Sequence, residues 1–559
     1  MSKDSTSTQR WALGHKIFGT KPNDGDVQPK HAWSYSLAGF GQNLVCAVIG
    51  SYLPVFMTDG AGFSALFVAL LMLVTRFFDA FNDPIMGAIV DKTKTKYGKC
   101  RPYLLWTPIP IAVATVLCFL PVFGWSNGGD GVAAKLVAGK YVAATILYLI
   151  WTILYTAIDV PYWGLSTTMT NDTYKRGKIL TVTRLVATLG AGIVTVIVPM
   201  VTDKLTRDLS YQYDIFSKAF QASGGKEIAL KNIASQFAQL KGEKLQIIYF
   251  VTALVLAIMS LPMLFIGFAN TKELSCGVEE PRSLKENLGL LFKNKPLMLI
   301  VLSGVLGSAR MVFAFTGGLY FAKYVWSGVE FLHIAGKPLF KGESLFTLIT
   351  VAVVPGGLVA SVLMPLITKK AGKKQPFIWS HLVVGILMLL VYVIGLITDK
   401  GNYSKTSTVV LVFLALFLSG IPAGFSNIAS YAMIGDSVDY LELKTGKRAE
   451  GICFAMQTFI NKSGLAVGAF IGILAFNLAG IKANQTHSLS AVGKDKFWAM
   501  LMLFAALSTI ATAIPLFFYK FNESEQRKAR EEIDKRNAEE LAKLEQNNAE
   551  QTAEVNEKV

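Results

Sequence analysis

Residues 76–101, "RFFDAFNDPIMGAIVDKTKTKYGKCR", set Arg76, Asp79, Asn82 and Asp83 inside an apolar run and then turn basic. On a helix each residue advances about 100°, so these four polar groups fall within an arc of about 120°. Two carboxylates and an amide a turn apart make a hard-oxygen cage suited to Na⁺, Li⁺ or a proton. No His/Cys spacing offers a transition-metal site. Pro84 removes a backbone donor beside Asp83 and can free a carbonyl near the acids. Each ionised group at bilayer depth costs about 2.5–3.5 kcal/mol, so the arc is expected to face a bundle interior. A purely structural pairing of Arg76 with one aspartate is the plainer alternative; it leaves the second acid without a partner.

A second group lies in "LYTAIDVPYWGLSTT", where Thr156, Asp159 and Trp163 share one helical stripe beside Tyr155 and Tyr162. A carboxylate that accepts from adjacent hydroxyls, next to an indole that covers C–H groups, is what a sugar ring requires; the plainer reading makes Tyr162 and Trp163 interfacial belt residues. Arg184 sits too deep in its apolar block to be loop charge and can pair with Asp159 or donate to hydroxyls. Lys462 in "QTFINKSGLAVGAF" needs an acid partner, for which Asp79 and Asp83 are candidates, and Gln457 and Thr458 lie a turn away. Arg310 is expected in a charge network, with a substrate role as the alternative. Asp436 and Asp439 are expected as gate or helix-end charges, and Asp91 with its basic neighbours as an inner gate.

The elements that must position these groups are long apolar blocks such as "VTALVLAIMSLPMLFIGFA". The 559 residues are 52% hydrophobic and only 16% charged, whereas a soluble chain carries about a quarter charged residues. Blocks of about 20 apolar residues cross a bilayer, so the chain is expected to be an all-α polytopic membrane protein. Twelve spans are predicted near 33–58, 62–90, 102–124, 138–168, 178–201, 246–269, 296–325, 344–368, 376–398, 407–434, 450–478 and 496–519. The loops after even-numbered spans are basic, which places both termini in the cytoplasm. The formal charge of +16 is spread over these loops and gathers on no soluble domain, so nucleic acid is not an expected partner. The five cysteines (Cys46, Cys100, Cys118, Cys276, Cys453) form no disulfide framework. The N-terminal stretch lacks a signal peptide's apolar core, so the first span is expected to direct insertion.

The organisation read from these blocks is a cytoplasmic segment 1–32 and a six-helix half 33–269 with a polar outer loop at about 202–245. A cytoplasmic linker 270–295, a second six-helix half 296–519 and a charged cytoplasmic tail 520–559, a solvated, charge-paired helix or a disordered stretch, complete it. "PIMGAIVDKTKTKYGK" is echoed by "PGGLVASVLMPLITKKAGKK". Repeated halves imply alternating access, with the site at the midplane between them. No nucleophile–base pair or metal cluster marks an enzyme.

At "RFFDAFNDPIMG", "TAIDVPYWGL", "TVTRLVAT" and "GDSVDY…CFAMQTFINKSG" the sequence resembles the glycoside–pentoside–hexuronide:cation symporters of the major facilitator superfamily. The resemblance covers nearly the whole membrane region. It implies a coupling-cation site at Asp79, Asn82, Asp83 and Thr156, with Na⁺ held transiently at Asp79 and Asp83. It further implies sugar determinants at Asp159, Trp163 and Arg184, and a second-half contribution from Thr458 and Lys462. The family's melibiose carriers present a lysine–aspartate pair after "GFG"; here Gln42 and Asn43 stand there, and Asn43 is taken as the substrate contact together with Tyr155. The expectation is a monomeric Na⁺- or H⁺-coupled sugar, glycoside or uronide symporter of a bacterial cytoplasmic membrane, without a resident cofactor. A sodium-coupled lysolipid carrier of the same fold and a membrane sensor acting through the charged tail are the alternatives.

Overall fold

The computed structural model describes residue 17 and residues 27–121, 132–170, 173–222, 227–273, 284–312, 316–334, 337–446, 450–481, 489–536 and 538–539. Helix α1 (Pro29–Val55) ends in a widened turn, Phe56–Gly60, and is followed by α2 (Ala65–Lys92), α3 (Arg101–Trp106) and α4 (Pro108–Cys118). Three long helices come next: α5 (Val132–Met169), α6 (Thr173–Ala222) and α7 (Glu227–Asn270). A short α8 (Leu284–Lys293) leads to α9 (Lys295–Leu306), a tightened stretch Gly307–Val312, and α10 (Thr316–Tyr320) with its widened end Phe321–Val325. Strands β1 (Glu330–Ile334) and β2 (Lys337–Lys341) precede α11 (Leu345–Ala352), α12 (Val354–Ala371), α13 (Lys374–Asp399), α14 (Thr406–Thr445) and α15 (Glu450–Leu478). Helix α16 (Ala491–Trp498) continues through Phe504 into α17 (Ala505–Ala511) and α18 (Ala513–Phe517), and residues 523–536 form a last helix, α19.

Among the described residues nine helices are long and apolar enough to cross a membrane. The other three expected spans each carry a physical interruption. Helix α2 holds Arg76, Asp79 and Asp83 in its middle, Pro108 and Pro110 separate α4 from α3, and Pro355 opens α12 after a break from α11. Helix α1 is the central rod: 72% of its apolar window is buried, against 33% for α13. It packs chiefly on α6 and α7, while α14 packs chiefly on α12 and α13. Helix α2 packs along α15 and so joins the two parts of the chain.

Two stretches differ from the sequence expectation. The polar segment at 202–245 is helical over its described residues, because α6 and α7 run on as 50- and 44-residue helices. At about 1.5 Å per residue these far exceed a bilayer core of about 30 Å. Arg207 to Asp203 at 2.6 Å and Lys241 to Ser210 at 3.0 Å secure the extension. Between the expected spans 296–325 and 344–368, an antiparallel hairpin pairs Glu330 with Lys341 and Phe331 with Phe340. Lys341 donates to Glu330 at 2.7 Å and holds its carboxyl below the usual carboxylate range.

The end of the bundle where α1 begins uses one device in two places. Glu273, after α7, accepts from the backbone N–H groups of Lys99, Cys100 and Arg101 at 3.0, 2.8 and 2.7 Å, capping α3. Glu523, at the start of α19, accepts from the backbone N–H of Lys373 and caps α13 in the same manner. Each carboxylate lies against a glycine with positive φ, Gly98 (105°) and Gly372 (70°), where a Cβ would come within 2.4 and 2.6 Å of it. The tail expected to be solvated therefore starts as a docked helix, with Ala529 and Ile533 both 2% exposed.

Candidate binding site between the halves

Helix α2 supplies the acid arc. Arg76 donates from Nη1 to Asp79 Oδ2 at 3.2 Å, the i, i+3 geometry expected along one helix face. Asp83, one turn further on, takes a different base: Lys462 of α15 reaches both its oxygens, at 2.6 and 2.7 Å. Thr156 of α5 donates to the same carboxylate at 3.1 Å. The acids are thus shared out between a local arginine and a distant lysine. Two polar atoms of this arc, Asp79 Oδ1 and Asn82 Nδ2, are buried without a hydrogen-bond partner. A buried polar atom left unpaired costs about 1–3 kcal/mol, so such a position favours a guest that binds there. The amide of Asn82 can present either end by a half-turn, so an oxygen is available to a cation at that position.

Asp159 lies one turn from Thr156 on α5. Gln42 Nε2 of α1 donates to its Oδ1 at 2.7 Å, and Trp163 Nε1 donates to the same oxygen at 3.0 Å. These donors fix the indole edge and the amide around one carboxylate, and Gln42 Oε1 is left buried and unpartnered, an acceptor for a hydroxyl. Arg184 of α6 is exposed and makes no ion pair with Asp159; its guanidinium lies 5.4 Å from the Trp163 ring centroid and 4.0 Å from that of Tyr431 on α14. Tyr431 is held from α15 by Asn461 at 3.2 Å, and Asn461 accepts from Gln457 at 3.2 Å. Tyr155 stacks on Trp151 with centroids 5.0 Å apart, behind this group.

The structure therefore brings Arg76, Asp79, Asn82, Asp83, Thr156, Asp159, Trp163, Arg184 and Lys462 into one connected region. Asn43 turns away: its amide donates to the Gly39 carbonyl of its own helix at 3.0 Å, and the neighbouring Gln42 takes the place expected for it. Thr458 is half-buried on α15, one turn before Lys462. Arg310 lies apart, donating to His381 Nε2 at 2.6 Å. His381 Nδ1 faces the Phe377 carbonyl at 2.8 Å and so carries the proton, leaving Nε2 to accept from Arg310 and from Ser426 at 3.0 Å. Asp436 pairs with Lys373 at 2.6 Å and Asp439 with Arg530 at 2.9 Å, both at the capped end of the bundle. The side chain of Asp91 lies outside the described residues. Sequence reasoning missed Gln42 and Tyr431. Gln42 carried a signal, since it is polar in an apolar span and beside the residue chosen; Tyr431 carried none.

The sequence model of the MFS/sugar transport protein family matches residues 34–523. The isoprimeverose transporter of Lactiplantibacillus pentosus is 30% identical over 99% of this chain and 97% of its own length. The glucuronide carrier protein homolog of Escherichia coli is 26% identical over 81% of this chain and 84% of its own length. Among solved structures, the nucleoside transporter NupG superposes with a TM-score of 0.54 at 13% identity, covering 88% of this chain and all of that one, a likeness of fold. A multi-pass helical bundle whose polar groups converge between its two parts, matched by one family model over almost its whole length, is a membrane transporter and not an enzyme: the chain belongs to the MFS/sugar transport protein family.

Proposed function

We propose that this protein is a cation-coupled symporter of a sugar or glycoside, working by alternating access between two six-helix halves, 33–269 and 296–519. Twelve spans with both termini cytoplasmic, and a single chain as the working unit, complete the reading. The observation that carries it is the Lys462–Asp83 bridge, which ties the second half to the acid arc of the first beside the Asp159–Trp163 pair. Gln42, Asp159, Trp163 and Arg184 offer a sugar one amide oxygen, one carboxylate, one indole face and one guanidinium. The relatives named for isoprimeverose and glucuronide transport support this class of cargo.

Asp79, Asn82, Asp83 and Thr156 form the cation site in this reading, and their oxygens favour Na⁺ over H⁺. Lys462 acts as a built-in cation that neutralises Asp83 when the carrier is empty. An entering Na⁺ takes over that carboxylate and frees the lysine, and the freed ammonium alters the field at Asp159. Sugar and ion then raise each other's affinity by the same factor. One charge moving through 100 mV supplies about 2.3 kcal/mol, enough for about 50-fold accumulation. A sugar panel in proteoliposomes, run with and without an inward sodium gradient, tests the reading. Sodium-driven accumulation of one sugar class, lost in Asp83→Cys, is expected; equal uptake in that variant would overturn the site.

A further inference from the structure

At the end of the bundle where α1 stops, three charged side chains are buried almost completely. Asp59 is 0% exposed, Lys323 4% and Glu343 7%. Asp59 lies in the widened turn that closes α1, and Lys323 lies in the matching widened turn after α10. Lys323 donates to Asp59 Oδ2, and Tyr324 donates to the same oxygen at 2.7 Å. Thr58 donates to Asp59 Oδ1 at 2.9 Å and meets the Tyr320 hydroxyl at 2.6 Å. On the other side of Lys323, Glu343 comes within 4.0 Å and accepts from Thr202 of α6 at 3.2 Å. Lys241 of α7 is within electrostatic reach of all three.

One lysine of the second half therefore stands between an acid of the first half and an acid of its own half. We propose that Lys323 is a partner-exchanging gate: held on Asp59 it locks this end of the transporter shut, and moved onto Glu343 it lets the halves part. A buried ammonium drawn off Asp59 with no carboxylate to receive it would be too costly to expose to an apolar interface. Glu343, waiting at the edge of contact range, removes that cost and lowers the barrier to opening. The two acids then have opposite effects on the same equilibrium, although both bind the same base. The inference rests on the transport reading above, in which this end faces outward.

The test uses the full chain with its five native cysteines replaced by serine and one reporter, Thr347→Cys. Thr347 is 4% exposed, and its hydroxyl points at the Thr195 and Val196 carbonyls across the same closed seam, both at 3.4 Å. Its initial rate of reaction with a membrane-impermeant maleimide reports opening. Asp59→Asn removes the locking acid and is expected to speed labelling by about tenfold or more. Glu343→Gln keeps an acceptor for Thr202 but removes the waiting charge, and is expected to slow labelling by at least about threefold. The exchange Asp59→Lys with Lys323→Asp is expected to return the rate towards the parent, which separates a lost pair from a damaged fold. Both acid variants moving the rate the same way, or neither moving it, overturns the proposal. The assay contains no sugar, so its failure leaves the uptake-tested symport reading intact.

Discussion

Replacing Lys462 by glutamine tests the coupling mechanism most directly. The wild-type ammonium sits 2.6 Å from Asp83 Oδ1, with the lysine side chain 9% and the aspartate side chain 18% exposed. Breaking a fully buried pair costs about 3–5 kcal/mol. The partial water contact here lowers the energy that an entering cation must overcome to about 2 kcal/mol. At about 1.4 kcal/mol per factor of ten, the half-saturating Na⁺ concentration in Lys462→Gln should fall about 30-fold. Among the described residues Asp83 then keeps only the Thr156 hydroxyl, so the empty carrier must cross with an uncompensated carboxylate. Net uphill uptake should collapse, while sugar counterflow, in which the cation never leaves, should persist. The assay is sugar counterflow and net uptake in proteoliposomes across a sodium titration, with Lys462→Arg as the charge-retaining control. An unchanged or higher sodium requirement in Lys462→Gln, with counterflow intact, would refute the reasoning.

Three further outcomes follow from the geometry. Gln42→Ala removes a charge-assisted bond to Asp159 of about 1.5–3 kcal/mol and should raise the sugar KM more than tenfold, whereas Asn43→Ala, which loses only a bond to its own helix, should change it less than about threefold in the same uptake assay. Glu273→Ala strips the acceptor from three backbone N–H groups and should cost about 2 kcal/mol of stability, read as earlier thermal unfolding in detergent, with Glu523→Ala acting in the same direction at the other half. The Glu330 carboxyl is held low by Lys341, so its contribution to the hairpin is complete above the ordinary carboxylate pKa of about 4.3 and is lost as pH falls through the lowered value. Amide protection factors at Glu330 and Lys341 should accordingly fall only below about pH 4, and a loss of protection near neutrality would contradict that pairing.

The membrane class, the helix-by-helix apolar pattern and the acid arc of α2 were legible in the amino-acid order. Each depends on distances of a turn or less, where the 3.6-residue period fixes which side chains lie together. Arg76 with Asp79 and Thr156 with Asp159 are of this kind. The same logic could not choose between Gln42 and Asn43, because adjacent residues point about 100° apart and only the rotation of α1 against α5 decides which meets Asp159. Helix ends in the 202–245 stretch were also misread, since polar residues that suggest a loop inside a membrane block are ordinary helix residues beyond it.

By itself, then, the order of residues determined that charged groups had to be hidden from lipid, and on which helices they lay. Only the folded bundle decided their partners: Lys462 with Asp83 across 379 residues, Lys323 with Asp59 across 264, and Glu273 with the start of α3 across 172 to 174. Those choices are made by how helices turn and pack against one another, and the sum of many weak side-chain contacts that sets this has no local signature in the chain.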